Sequence, residues 1–146
     1  MMPITEILKG ALWQSDTDAR IFAKMRARNI VPAIVIDLQE FPAPELPLDA
    51  AISYVHWPID DGPVPDRETL GALVEAACVF IEHGGRVVTM CAQGRNRSGL
   101  VSALIVCGVR RVGGAEAVRH VRRKIPEALS NEEFVEWLTR FRRRRP

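Results

Sequence analysis

Residues 86–99 read Arg86-Val87-Val88-Thr89-Met90-Cys91-Ala92-Gln93-Gly94-Arg95-Asn96-Arg97-Ser98-Gly99. This stretch opens with a short, mainly apolar and β-branched run, which is typical of a buried strand. The residues from Ser98 to Arg111 are apolar nearly all round, which is typical of a helix enclosed within a domain. The stretch therefore predicts a strand, a tight loop and a buried helix in direct succession.

The rest of the chain continues this alternation of strands and helices. Apolar and β-branched runs predict four strands, at residues 11–14, 31–38, 52–57 and 86–90. Capping residues, apolar stripes of helical period and glycine stops predict five helices, at residues 15–28, 66–83, 98–111, 115–124 and from 130 onward. We expect an α/β fold, a single domain with a small central sheet and helices on both of its faces.

Three of these helices have recognisable N-terminal signals. The polar cluster from Ser15 to Asp18 suits the start of the first helix. Asp66 is a good N-cap for the second, because a carboxylate can accept hydrogen bonds from the free N–H groups of a first turn. Ser130 and Glu133 have the spacing of a capping box, which predicts the start of the last helix.

Length and composition limit the class of protein. The chain has 146 residues, 47% of them hydrophobic and 26% charged, which excludes a disordered or fibrous chain. We expect one domain over residues 1–146, with a basic end at about 140–146. The net charge of +2 is unevenly spread, since residues 1–109 carry −4 and residues 110–146 carry +6.

Cysteine usage and the absence of targeting signals predict a cytoplasmic protein. The three cysteines, Cys78, Cys91 and Cys107, have no C-x-x-C spacing, which argues against a disulfide framework or a zinc cluster. No signal-peptide pattern and no apolar run of about 20 residues is present. We expect no metal, no cofactor and no membrane span.

The loop between the last predicted strand and the buried helix carries the chemistry. A tight loop entering a helix presents successive N–H groups to one point, which makes an anion-binding nest. Cys91 at its start would lie in that positive field, which favours the thiolate. The planar guanidinium of Arg97 can hold two phosphoryl oxygens at once. Gly94 allows the backbone to approach a ligand, and Gly99 allows close helix packing.

These residues resemble the dual-specificity branch of the cysteine-dependent protein tyrosine phosphatases, whose signature is C-x5-R-S-G. The resemblance extends over roughly Ile4 to Leu129. It implies that Cys91 is the nucleophile, that Arg97 clamps the phosphate and that Ser98 assists the departure of the thiolate. The phosphate-binding loop that it implies consists of Ala92, Gln93, Gly94, Arg95, Asn96 and Arg97.

The sequence departs from the family's usual pattern in two respects. Met90 stands where the family usually has a histidine that orders the loop. The chain also lacks the long insertion by which the tyrosine-specific members deepen their pocket, so the resemblance implies a shallower cleft.

A general acid is implied in the segment between the third strand and the second helix. Asp61 matches the family's general-acid position, and Asp60 is its neighbour. Adjacent residues of an extended segment point to opposite sides, so we expect only one of the two to face the site. We assign Asp61, because Asp61-Gly62-Pro63 begins the turn, and we expect Asp60 to be solvated or bonded to loop amides.

The implied function is phosphomonoester hydrolysis through a phosphocysteine, on phosphotyrosine, phosphoserine or phosphothreonine of proteins. Two alternatives share the fold. RNA 5′-phosphatases also carry Gly-x-Asn-Arg, as residues 94–97 do, and Arg142 to Arg145 would suit RNA, although nucleic acid is not the favoured partner. Arg95 would suit a phosphoinositide. A non-catalytic phosphate-binding module and a sulfurtransferase are further alternatives.

The remaining histidines and cysteines have structural interpretations. His56, His83 and His120 show no ligand spacing and are expected at the surface or at strand ends. Cys78 and Cys107 are expected to be inert core thiols, although a disulfide from Cys91 to one of them is a possible alternative.

Overall fold

The computed structural model of the protein describes residues 3–43 and 50–142, and within them the chain forms five strands and five helices. The strands are β1 (Thr5–Leu8), β2 (Leu12–Asp16), β3 (Ala33–Asp37), β4 (Ile52–His56) and β5 (Arg86–Cys91). The helices are α1 (Ile21–Ala27), α2 (Arg67–Glu82), α3 (Arg97–Arg110), α4 (Gly114–Lys124) and α5 (Glu132–Arg140).

The strands form one sheet in the order β1-β2-β5-β3-β4, with β1 antiparallel to β2 and the other neighbours parallel. β5 is therefore central. Cys91 pairs in register with Asp16, and Asp37 pairs with both Met90 and His56. The carboxyl ends of four strands thus meet at one edge, the edge at which open α/β sheets bind ligands.

Alternate residues of β5 face two separate layers of helices. Val87 and Cys91 pack in a core shared with α2, α3, α4 and α5. Val88 and Met90 pack on the opposite face, in a smaller cluster that contains Ile21 of α1. The predicted α/β fold, a single domain with helices on both faces of a small sheet, is confirmed.

The first strand was missing from the sequence-based prediction. In β1 the buried residues Ile7 and Leu8 are adjacent, so no alternation marks the strand, and its pairing with β2 contains an irregularity between Glu6 and Leu8. The loop that carries the chemistry therefore follows the fifth strand, not the fourth.

The predicted start of the first helix is also wrong. Ser15 and Asp16 extend β2, because the parallel ladder with β5 continues as far as Cys91. α1 begins only at Ile21, after Asp18 has accepted a hydrogen bond from the N–H of Arg20.

The two other capping predictions have opposite outcomes. Asp66 caps α2 as predicted, with its carboxylate accepting from the N–H of Thr69 at 3.1 Å. The capping box of Ser130 is wrong, because the cap of α5 is Asn131, whose Oδ1 accepts from the N–H groups of Glu133 and Phe134. Asparagine caps as well as serine does, so the helix starts one residue later.

Parts of two predictions fall on residues that the structure does not describe. The sequence also predicts a loop over residues 40–47, which contain three prolines, and of these the structure describes only residues 40–43. Residues 143–146, which contain most of the basic end, also lie outside the described residues. Among the described residues no single helix is long and apolar enough to cross a membrane, and α3 and α4 meet that test only together, as a pair bent by 116°.

Candidate active site

The loop from Cys91 to Arg97 joins the carboxyl end of β5 to the first turn of α3. Cys91 is 2% exposed and ends the central strand. The N–H of Gly94 donates to the carbonyl of Cys91 at 3.2 Å, and Gly94 has a φ of +67°, which favours glycine. The chain thus folds back tightly before it enters the helix, which is the backbone shape of an anion nest.

Two successive carbonyl groups of the loop accept hydrogen bonds from residues of distant segments. The carbonyl of Gly94 accepts from Nε2 of Gln14, on β2, at 2.8 Å. The carbonyl of Arg95 accepts from the N–H of Leu129, in the segment between α4 and α5, at 3.3 Å. Segments about 80 residues before and about 30 residues after the loop therefore fix its backbone.

Asp61 is attached to this loop by two asparagine side chains. One carboxylate oxygen accepts from Nδ2 of Asn131 at 2.8 Å, and the other accepts from Nδ2 of Asn96 at 3.2 Å. The N–H of Asn131 in turn donates to Oδ1 of Asn96 at 2.8 Å. Ser130 completes the cluster through its hydroxyl group, which bonds the Asn96 side chain.

Arg97 lies beside a cavity that is open to both candidate acids. The cavity has a volume of about 280 Å³ and is lined by Glu40, Pro58, Ile59, Asp60, Asp61, Pro65 and Arg97. Both aspartates line this cavity, so its lining does not distinguish between them. Asp61 is the one held by amides, whereas no described residue bonds the Asp60 carboxylate.

Ser98, in the first turn of α3 directly after the loop, has a wholly enclosed side chain. It is 0% exposed, and its hydroxyl has no hydrogen-bond partner among the described residues. A buried hydroxyl without a partner is costly in a folded protein. A phosphoryl oxygen bound next to the loop would supply that partner.

Comparison with known proteins identifies the family. Residues 9–110 match the family described as "Polymorphic toxin system, DSP-PTPase phosphatase", over more than half of the chain. The chain belongs to this family. The predicted resemblance to dual-specificity phosphatases is confirmed. No curated protein matches the chain in sequence.

Solved phosphatase structures resemble the whole fold. Tk-PTP in its active form is 27% identical, with a TM-score of 0.73 over 93% of this chain and 94% of that chain. DUSP15 is 25% identical, with a TM-score of 0.77 over 93% and 85%. Human DUSP28 is 23% identical, with a TM-score of 0.76 over 94% and 91%, and supports the fold alone.

The other two cysteines of this phosphatase lie far from the loop. Burial raises the pKa of the Cys107 thiol to about 11, and Cys78 donates to the carbonyl of Ile105 at 3.8 Å. Cys107 lies ten residues beyond Arg97 on α3, about 15 Å along the helix axis. A disulfide needs Cα atoms within about 7 Å. All three cysteines are free thiols, so neither alternative disulfide from Cys91 is formed in this structure.

The three histidines also have structural partners, as predicted. His56 bonds the carbonyl of Gln39 at 2.8 Å, His83 that of Val79 at 2.8 Å and His120 that of Ile7 at 2.7 Å. Within residues 3–43 and 50–142, no three His, Cys, Asp or Glu side chains are grouped as metal ligands.

Asp37 stabilises the edge of the sheet beside the phosphatase loop. It accepts from the N–H of Gln39 at 3.2 Å and from the hydroxyl of Tyr54. Burial and this bond to Asp37 raise the pKa of Tyr54 to about 12, so the phenol stays protonated at neutral pH. This network fixes the ends of β3 and β4 next to Met90.

A larger groove is present elsewhere on the phosphatase. It has a volume of about 770 Å³ and lies between the carboxyl-terminal half of α2 and Ile34 of β3. The Cys91–Arg97 loop contributes no residue to it, and its lining is mainly apolar. We therefore assign the active site to the smaller cavity beside Arg97.

Sequence analysis did not single out Gln14, Leu129 or Asn131. Gln14 ended a predicted strand and Asn131 followed the predicted cap, so each looked like an ordinary member of its element. The one available signal was the amide side chain of Gln14 in an otherwise apolar strand segment.

Gly99 provides the first test of this arrangement. A Cβ atom at Gly99 would lie 2.9 Å from Cγ of Leu129, which is 0% exposed and cannot move aside. We expect Gly99→Ala to lower the free energy of unfolding by about 1–3 kcal/mol, in the range for overpacked cores.

Gly71 is a matched control for that substitution. It also lies within a helix, α2, but a Cβ there would meet nothing within 4 Å. Gly71→Ala should raise the free energy of unfolding by about 0.5–1 kcal/mol, because alanine is the better helix former. Urea denaturation measures both changes, and equal effects at the two positions would contradict the packing of Leu129 on α3.

Proposed function

We propose that this phosphatase hydrolyses phosphomonoesters through a phosphocysteine on Cys91, with phosphorylated tyrosine, serine and threonine side chains of proteins as substrates. The observation that carries the proposal is the loop at the carboxyl end of β5. It starts at Cys91, its carbonyl groups at Gly94 and Arg95 are held by distant segments, and it ends at Arg97 in the first turn of a helix.

Each residue of the site has a role in the first step. The loop N–H groups and Arg97 bind the phosphoryl oxygens, and the Cys91 thiolate attacks phosphorus. As the P–O bond to the leaving group breaks, Asp61 gives its proton to the leaving oxygen. The products are a phosphocysteine, the dephosphorylated alcohol or phenol and an ionised Asp61.

The second step regenerates the enzyme. Asp61, now a carboxylate, takes a proton from a water molecule that attacks the phosphocysteine. The S–P bond breaks, inorganic phosphate leaves and the Ser98 hydroxyl donates to the returning thiolate. The Ser98 hydroxyl is buried in the first turn of α3 and makes no competing hydrogen bond among the described residues, so it is available for this role.

The charges around Arg97 favour protein substrates over polyanions. The carboxylates of Glu40 and Asp60 line the same cavity as Arg97. They repel the additional phosphates of a phosphoinositide or an RNA 5′-triphosphate. A side chain with a single phosphate carries less negative charge and is repelled less. The positive charge of Arg95, in contrast, favours a polyanionic substrate such as a phosphoinositide or RNA.

We also propose a cytoplasmic place of action and a single phosphatase domain over residues 1–146. All three cysteines are free thiols in the structure. A cysteine nucleophile must stay reduced to attack phosphorus, and a reducing compartment keeps it so.

A substrate panel tests the proposed function. We expect kcat/KM to be higher for phosphotyrosine and phosphothreonine peptides than for a phosphoinositide or a 5′-triphosphate RNA. Cys91→Ser should abolish every activity, Arg97→Lys should impair it severely because a point charge cannot replace the bidentate fork, and EDTA should leave it unchanged.

Three results would contradict this proposal. Activity that survives Cys91→Ser would exclude the phosphocysteine, and preference for the RNA or the lipid would overturn the substrate assignment. Turnover of thiosulfate without phosphatase activity would identify a sulfurtransferase.

Replacement of each of the two neighbouring aspartates by asparagine tests which of them is the general acid. We expect Asp61→Asn to lower kcat by roughly 10²–10⁴ with an aryl phosphate whose leaving group is poor, and by much less with a good leaving group. Asp60→Asn is the matched control and should show no dependence on the leaving group. If only Asp60→Asn shows that dependence, the acid is Asp60.

A further inference from the structure

Gln14 is a polar residue at a position where the fold calls for an apolar one. It lies on β2, next to the central strand, and pairs in register with Thr89 of β5. It is 0% exposed. Burying an amide side chain is unfavourable unless its polar atoms find hydrogen-bond partners.

Only one end of the Gln14 amide has such a partner. Nε2 donates to the carbonyl of Gly94 at 2.8 Å, whereas Oε1 is buried and has no partner among the described residues. Packing therefore does not explain this glutamine, since leucine would fill the space without an unpaired oxygen. The bond to the loop is what the glutamine provides.

That bond fixes the orientation of the peptide group between Gly94 and Arg95. In a trans peptide the C=O and N–H groups point in opposite directions. Because the carbonyl is turned toward Gln14 in the protein interior, the N–H of Arg95 is turned toward the open side of the loop. The bond from Leu129 to the Arg95 carbonyl fixes the next peptide group, between Arg95 and Asn96, as well.

The alternative orientation of this peptide is accessible. Gly94 has a φ of +67° and no side chain, so rotation about its backbone meets little steric resistance. A reversed peptide would present a carbonyl oxygen to the phosphoryl group instead of a donor. Preorganised donors stabilise a developing charge because they need no reorientation during the reaction.

We propose that Gln14 is a positioning residue that holds the Gly94–Arg95 peptide in its oxyanion-binding orientation. This inference rests on the proposed phosphatase function and adds a residue outside the signature to it. Gln14 does not touch the phosphate and acts through the loop backbone.

Gln14→Leu and Gln14→Met test the proposal. Both remove the donor and fill the space with apolar atoms, so we expect the thermal unfolding midpoint to stay the same or to rise. The inhibition constant of inorganic phosphate should rise, and kcat/KM for an aryl phosphate should fall by about 10²-fold, as on loss of one oxyanion donor.

Ser102→Ala is the matched control. The Ser102 hydroxyl bonds Oγ1 of Thr89 at 2.8 Å, on the same side of the sheet as Gln14, and makes no side-chain bond to the loop among the described residues. Its loss removes a buried hydrogen bond near the site. Phosphate inhibition and kcat/KM should stay at the wild-type values.

The outcomes separate this inference from the proposed function. Wild-type phosphate inhibition and kcat/KM in both Gln14 variants would overturn the role of Gln14 alone. A loss of activity in both variants that is matched by an equal loss of stability, or by an equal loss in Ser102→Ala, would reduce Gln14 to a packing residue. A wild-type enzyme that neither binds phosphate nor hydrolyses the aryl phosphate would overturn the proposed function itself.

Discussion

The peptide groups between Cys91 and Arg97 can bind a phosphate only while their carbonyl oxygens point away from it. A free loop with glycine at its centre would not keep that orientation, because its peptide groups can reverse. Here the Gly94 carbonyl is bonded by Gln14 and the Arg95 carbonyl by Leu129. The loop is therefore a product of the whole fold, which brings β2 to one side of it and the α4–α5 connection to the other.

The α4–α5 connection also joins the loop to Asp61, the proposed general acid. Leu129 packs on Gly99 and bonds Arg95, and two residues later Asn131 bonds Asp61 and caps α5. Asn96, within the loop, bonds the same carboxylate. A single short segment thus sets the position of the loop backbone relative to the Asp61 carboxylate, which is the geometry that the two proposed steps require.

Sequence reasoning succeeded where the relevant interactions are local. The β5–loop–α3 unit and the Asp66 cap depend on residues that are close in the chain. Gln14 and Asn131 were not predicted as site residues because their contacts are tertiary. The register of β2 against β5 brings Gln14 to the loop. The α4–α5 connection brings Asn131 to Asp61. β1 was not predicted because its buried residues are adjacent and show no alternation. Ser130 and Asn131 are neighbours that can both cap a helix, so the sequence did not decide between them.

The covalent intermediate is the central claim, and direct observation of it is the most direct test. The Ser98→Ala variant should slow the second step more than the first, because the proposed role of the hydroxyl is to assist the departing thiolate. We predict that this variant, quenched in acid during turnover of an aryl phosphate and digested, yields a peptide phosphorylated on Cys91, as read by mass spectrometry. Turnover without any phosphorylated peptide, or with the phosphoryl group on another residue, would contradict the account.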